Sequence, residues 1–246
     1  MLVQYVMNIR NLDWFYAENV QKGVIRLSSD ESRHIKVKRH YENEKVAVFD
    51  GKGKVGAGKI ISKPNFGKAK MGPSDRGQIG DEIEIFEVHE FPKEESLTIA
   101  VAVPKGDRLD FMLQKLTELN VSTIMLMNTK RSIVMPRETK QERLKRILIE
   151  ACKQCKRAWI PELKQLTDFG DVIKLKFDNK LILNIDGSKL KKLGTGSTLV
   201  LIGPEGGFTE EEIKETESKG FVKTSISKNT LRIETAAIAV AAIINH

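Results

Sequence analysis

The stretch best suited to chemistry is a short apolar run that ends in glycine and leads into a helix. Residues 199–202 (LVLI) favour a β-strand, and 203–207 (GPEGG) stop it at once, which predicts a buried strand running into a sharp loop. Thr209 is the expected N-cap of the following helix, with Glu212 completing a capping box, and Gly220 is the expected stop. A strand, a glycine turn and a helix start leave bare backbone N–H groups around a hollow at the carboxyl edge of a sheet. Without Cβ atoms, the glycines let a flat ligand come close to the main chain. A phosphate loop would end in Gly-Lys-Ser/Thr, and 206–209 (GGFT) has no lysine. The dinucleotide pattern G-x-G-x-x-G is absent from this loop as well. It does occur literally at 51–56, but 57–61 (AGKII) continues as a strand and not a helix, so that copy cannot cradle phosphate. An ordinary tight turn with no ligand fits the loop pattern equally.

The second half of the stretch, 231–242 (LRIETAAIAVAA), is an alanine-rich helix. Between the chain start and residue 72 the pattern is one of short strands, at 24–27, 44–49 and 59–62, with a hairpin signal at 50–53 (DGKG). A helical turn over 29–38, capped by Ser29 or Asp30, interrupts them. Together they predict a small β-barrel. Arg33, His34, Lys36, Lys38, Arg39 and His40 crowd one segment of it, either as a solvated face or as an RNA backbone contact. A polar linker is expected at 72–77, and a strand at 83–88 belongs to either side of it. From residue 96, strands at 97–103, 123–127, 181–185, 198–202 and 221–226 alternate with helices at 108–119, 138–157 and 234–244. Such alternation predicts an α/β domain with a mostly parallel sheet covered on both faces. The expected division is therefore 1–74 and 75–246.

Lysine and arginine outnumber the acids to give a net charge of +8 and a pI near 9.3. That excess favours a polyanionic partner, although a solubilising basic surface has the same composition. No apolar run is long enough to span a membrane, and the start has no charged leader, so a cytoplasmic protein is expected. Cys152 and Cys155 form a C-x-x-C inside a helical, charged segment with no second pair, and are read as packing thiols. The four histidines are scattered, so no metal is expected.

LIGPEGGFTEEE and LRIETAAIAV resemble the two signature segments of the RsmE-type small-subunit ribosomal RNA uridine-N3 methyltransferases, of the SPOUT class. KGDRLDFMLQKLTELNV (105–121), TKRSIVM (129–135) and ERLKRILIEACKQCKRAWIP (142–161) are similar to the family's intermediate motifs, in order along most of the chain. The resemblance implies a PUA-like RNA-binding barrel followed by a SPOUT domain with a deep C-terminal trefoil knot. Two loops, 201–207 and 226–235, would together hold S-adenosylmethionine. It also implies a homodimer acting on 16S ribosomal RNA or the small ribosomal subunit. Asn120 and Lys156 stand where the family carries glycine, and 34–40 (HIKVKRH) is more polar than its counterpart.

Methyl transfer is an in-line displacement for which the protein supplies proximity and orientation. Uridine N3 must lose its proton first, so the site needs a base or a cation that stabilises the anion. With the resemblance in hand, Arg232 is the expected cation and Glu234 the base or the partner that orients Arg232. Leu201, Ile202, Gly203, Glu205, Gly206 and Gly207, with Ile226, Leu231 and Thr235, are the expected cofactor contacts. Arg33, Lys36, Arg131, Ser132, Gln154 and Arg157 are the expected RNA contacts. Two other readings stay open: a knotted methyltransferase with a different RNA nucleotide as target, and an RNA-binding assembly factor without catalysis.

Overall fold

The structure is a computed structural model and describes residues 9–62, 81–93, 97–132 and 141–245. The chain forms two compact units: Met1–Lys93 with Cys152–Trp159, and Glu94–Ala151 with Ile160–His246. The expected linker at 72–77 and the expected boundary at 74/75 lie outside the described residues.

In the first unit, Trp14–Tyr16 (β1), Gly23–Arg26 (β2), Lys45–Phe49 (β3), Lys54–Ser62 (β4) and Glu82–Glu90 (β5) make one sheet in the order β1-β3-β4-β5-β2. The strand whose owner the sequence left open thus pairs here, antiparallel to β2 and β4. β3 and β4 form the expected hairpin, and β1 adds in parallel to β3. The core holds Phe15, Ile35, Val46, Val48, Ile60 and Ile83. Helix α1, Ser29–Val37, is capped by Ser28, whose hydroxyl accepts from Glu31 N at 3.3 Å, not by Ser29 or Asp30. Asx and Ser side chains compete for that position, and the extended backbone at Ser28 decides it. Cys152 is buried, and its thiol is pushed up to about 12, by burial first and then by Cys155. It is therefore an inert packing thiol at neutral pH. Lys156 sits at φ +59°, the left-handed conformation that glycine would adopt without strain. Its ammonium donates to Leu12 O at 2.7 Å, which holds it there.

The second unit is a six-stranded sheet, parallel in every pairing. Its strands are Leu97–Ala102 (β6), Thr123–Asn128 (β7), Glu162–Asp168 (β8), Asn179–Lys189 (β9), Thr198–Ile202 (β10) and Val222–Ser225 (β11), in the order β11-β9-β10-β6-β7-β8. β10 is central and buried throughout. Its alternation splits between two cores, which explains why the strand reads as unbroken apolar residues. Val200 and Ile202 pack with Ile99, Leu113, Ile233 and Val240 on one face. Leu199 and Leu201 pack with Phe169, Val172, Phe208 and Phe221 on the other. Each such side chain contributes roughly 1.5–3 kcal/mol by leaving water.

Helices Arg108–Glu118 (α2), Gln141–Cys155 (α3), Phe169–Val172 (α4), Glu210–Ser218 (α5) and Ile233–Ile244 (α6) link the strands. α2 buries Leu109, Met112, Leu113 and Leu116 on one face. It ends at Asn120, φ +61°, again a left-handed residue at a place where glycine would be free of strain. The polar strand β8 (ELKQLTD) was not foreseen. It sits at the sheet edge, where Glu162, Lys164, Gln165 and Asp168 stay exposed and no apolar run forms.

Candidate functional site

β10 ends at Ile202, and the next residues turn sharply. Gly207, at φ +67°, donates its N–H to Pro204 O at 2.8 Å and closes the turn. Gly203 is required for a different reason: a Cβ there would come within 2.9 Å of the Phe208 ring, which is itself packed against Phe169. Thr209 then caps α5 with the expected capping box. Its hydroxyl accepts from Glu212 N at 3.2 Å, and Glu212 Oε2 accepts from Thr209 N at 2.7 Å. The other oxygen of Glu212 accepts from Lys130 N at 2.9 Å, so one buried carboxylate holds two loops. Arg131, next along, donates to Gly206 O at 2.6 Å and Phe208 O at 3.4 Å. The glycine turn is thereby fixed from outside its own strand.

Beside this turn lies a cavity of about 200 Å³. Three stretches line it: 183–185 of β9, the turn after β10, and 224–236 running from the end of β11 into α6. It opens where parallel strands end, the usual ligand position in such sheets. Leu183, Ile185, Ile202, Ile226, Leu231 and Ile233 make its walls apolar, and Asn184, Ser225, Ser227 and Asn229 supply donors and acceptors. Among the described lining residues Glu205 alone is ionisable. The cavity therefore suits a flat, partly polar ligand with positive charge, and offers a polyphosphate no cation.

A second, more open hollow of about 650 Å³ adjoins the first along Thr230 and Leu231, which line both. Its other residues are Asp107, Arg108 and Phe111 from the start of α2, and Arg232, Glu234 and Thr235 from the start of α6. Arg232 is the N-cap of α6 in backbone geometry and its carbonyl accepts from Ala236 N at 2.9 Å. Glu205 pairs with Arg108 at 3.8 Å, not with Arg232. Glu234 is 6% exposed, and its Oε2 has no hydrogen-bond partner among the described residues.

Of the expected cofactor contacts, Ile202, Gly203, Glu205, Gly207, Ile226 and Leu231 line the first cavity. Leu201 does not, because the pleat turns it into the opposite core. Gly206 faces the stem of Arg131, 3.4 Å from where its Cβ would be. Thr235 lines the second hollow with the expected catalytic pair, Arg232 and Glu234. The expected RNA contacts divide. Arg131 is engaged by the loop carbonyls, and Ser132 Oγ accepts from Thr129 N at 3.0 Å. Arg33, Lys36, Gln154 and Arg157 belong to the first unit, where Arg33 pairs with Asp30 at 3.3 Å. The sequence reading missed 183–185, Arg108 and Phe111. The first would have followed from placing β9 beside β10, and the others from their i,i+3 spacing on one helix face.

Residues 91–245 match the family described as RNA methyltransferase domain. Over 236 residues the chain is 30% identical to the ribosomal RNA small subunit methyltransferase E of Aquifex aeolicus, covering 94% of this chain and 97% of that protein. It is 33% identical over 159 residues to the Synechocystis protein of the same name; that match takes in 61% of this chain and about half, 52%, of the relative. The crystal structure of a ribosomal RNA small subunit methyltransferase E from Neisseria gonorrhoeae, bound to S-adenosyl methionine, superposes with a TM-score of 0.82. Identity is 29%, over 95% of this chain and 96% of that one.

Proposed function

Since the chain belongs to the ribosomal RNA small subunit methyltransferase E family, we propose that it methylates N3 of a uridine in 16S ribosomal RNA, using S-adenosylmethionine. The observation that carries this reading is the first cavity, apolar-walled at the strand ends with Glu205 as its one ionisable lining residue. Apolar walls suit an adenine ring, and the carboxylate of Glu205, which also pairs with Arg108 at 3.8 Å, suits a sulfonium. Ile202, Gly203, Glu205, Gly207, Ile226 and Leu231 would hold the cofactor. When bound, S-adenosylmethionine supplies a methyl group on a positively charged sulfur, open to in-line displacement.

This chain's own residues must then make N3 reactive. Glu234, buried with an unpartnered oxygen, takes the N3 proton onto its carboxylate. Arg232 faces the same hollow and stabilises the negative charge left over N3, O2 and O4. The segments 201–207 and 226–235 are read as the two loops of a trefoil knot. The first unit is read as a PUA-like RNA-binding barrel, supported by its five-stranded sheet and by the basic residues of α1. A cytoplasmic location is part of this proposal, since ribosomal RNA is its substrate. No described helix is long and apolar enough to cross a membrane. It is expected to act as a homodimer through α6, whose alanines permit close approach of a second helix.

The test is to titrate the full chain with S-adenosylmethionine by calorimetry and to map modified nucleosides in ribosomal RNA from a deletion strain. Saturable binding and selective loss of 3-methyluridine are expected. Loss of a different nucleoside, or no heat of binding, would overturn the proposal.

A further inference from the structure

The two residues the sequence reading missed on α2 point to a binding site of their own. Arg108 and Phe111 stand three apart at the start of that helix and line the second hollow together. Phe111 is 49% exposed, one of nine large apolar side chains left in water among the described residues. A lysine, Lys115, stands 5.8 Å from its ring centroid and is itself paired with Glu118 at 2.9 Å. An aromatic face amid cations is the usual platform for an unpaired base.

The chemistry of uracil fits the remainder of the hollow. Its pairing edge presents an N3–H donor between two carbonyl acceptors. The hollow presents one buried carboxylate with an unpartnered oxygen, Glu234, and two guanidinium groups, Arg108 and Arg232. Asp107 is exposed at the start of the same helix and makes no side-chain cap to it. In a paired strand N3 lies inside the hydrogen-bonded base pair, so a base methylated there must first leave the stack. A cavity that abuts the cofactor cavity only along Thr230 and Leu231 is where such a base would have to go.

Resting on the function proposed above, we infer that the second hollow receives the extruded target uracil, with Phe111 stacking on its ring and Arg108 binding a carbonyl. Arg108 also touches Glu205 of the cofactor loop, so one side chain contacts both hollows. Phe111 is then a determinant of RNA use and not of cofactor affinity.

The experiment follows methyl transfer from labelled S-adenosylmethionine to small ribosomal subunits from the deletion strain. Phe111→Ala is expected to lower kcat/KM for the subunit roughly 10- to 100-fold, the scale of one lost base–aromatic stack. Affinity for S-adenosylmethionine by calorimetry and mass by light scattering should match the parent, and Phe111→Tyr should recover most of the loss. An unchanged kcat/KM in Phe111→Ala overturns the inference. So does a loss accompanied by weaker cofactor binding or by a smaller assembly, since the ring would then serve the fold or a subunit contact. A parent protein that transfers no methyl group to the subunit would sink the proposed function itself, whereas an active parent with an equally active variant sinks only the uracil site.

Discussion

Residues 50–53 (DGKG) and 203–207 (GPEGG) both carry the chain out of a buried strand through glycine, yet only the second leaves room beside it. In the hairpin, Asp50 Oδ1 accepts from Lys52 N at 2.7 Å and Lys54 N at 3.0 Å. Gly53 donates to Ala158 O at 3.2 Å, and its carbonyl accepts from Phe91 N at 2.8 Å. A Cβ at Gly53 would come 2.6 Å from the Trp159 ring. There the approaching partner is the protein itself. An antiparallel strand returns at once, so the turn's polar groups are met locally. A parallel strand cannot return, and its turn must pass into a helix while the neighbouring strands end nearby. Glycine marks close approach in both places; strand direction decides whether protein or ligand does the approaching.

The contrast is sharpened most by Arg232→Ala. Turnover should fall about 10²- to 10³-fold with cofactor affinity nearly intact, and full activity would remove Arg232 from the mechanism. Gly203→Val comes next. Its side chain would collide with the Phe208 ring beside the cavity, and calorimetry should show S-adenosylmethionine affinity reduced roughly 100-fold. Equal affinity in that variant would mean the turn is as filled as the hairpin. Gly53→Ala should behave in the opposite way. It forces a non-glycine residue to φ +100° against Trp159, at a cost of about 2–4 kcal/mol in urea denaturation, with cofactor affinity unchanged. A cofactor defect there would break the distinction between the two turns.

The smallest effect concerns pH in the unit that carries the hairpin. Burial alone would raise the Asp13 carboxyl, but hydrogen bonds from Lys38 and His40 outweigh it and leave it below its ordinary value. With the folded pKa depressed, the stabilisation is complete above the unfolded value and is lost as pH falls through the lower, folded one. Asp13→Asn should therefore destabilise the protein at neutral pH, and the gap to the parent should begin to close only below about pH 4. Asp13 is 34% exposed, so the difference should not exceed about 1 kcal/mol. A gap that persisted in acid would assign the effect to packing.

What the sequence made legible was local. The run 199–202, its glycine stop and the Thr209–Glu212 box each depend on residues within a few positions, and each forms as expected. Asn120 and Lys156 both adopt the left-handed backbone that an expected glycine had flagged. Non-local consequences were hidden. Leu201 was misassigned because a strand buried on both faces shows no alternation to say which side is which. Gly206 and Arg131 are 75 residues apart, and no spacing rule predicts a guanidinium on that carbonyl. β8 was missed because an edge strand carries polar residues on its exposed positions.

The order of strands across the second sheet also fixes when the cavity can exist. Its walls come from 183–185, 203–208 and 224–236, all in the last third of the chain, whereas β6 and β7 appear far earlier. On a translating ribosome much of that sheet can assemble before any binding surface does. A product cut short before α6 would keep the strands but lack the wall that carries Ile233 and Ala236, so it would be inactive and not weakly active.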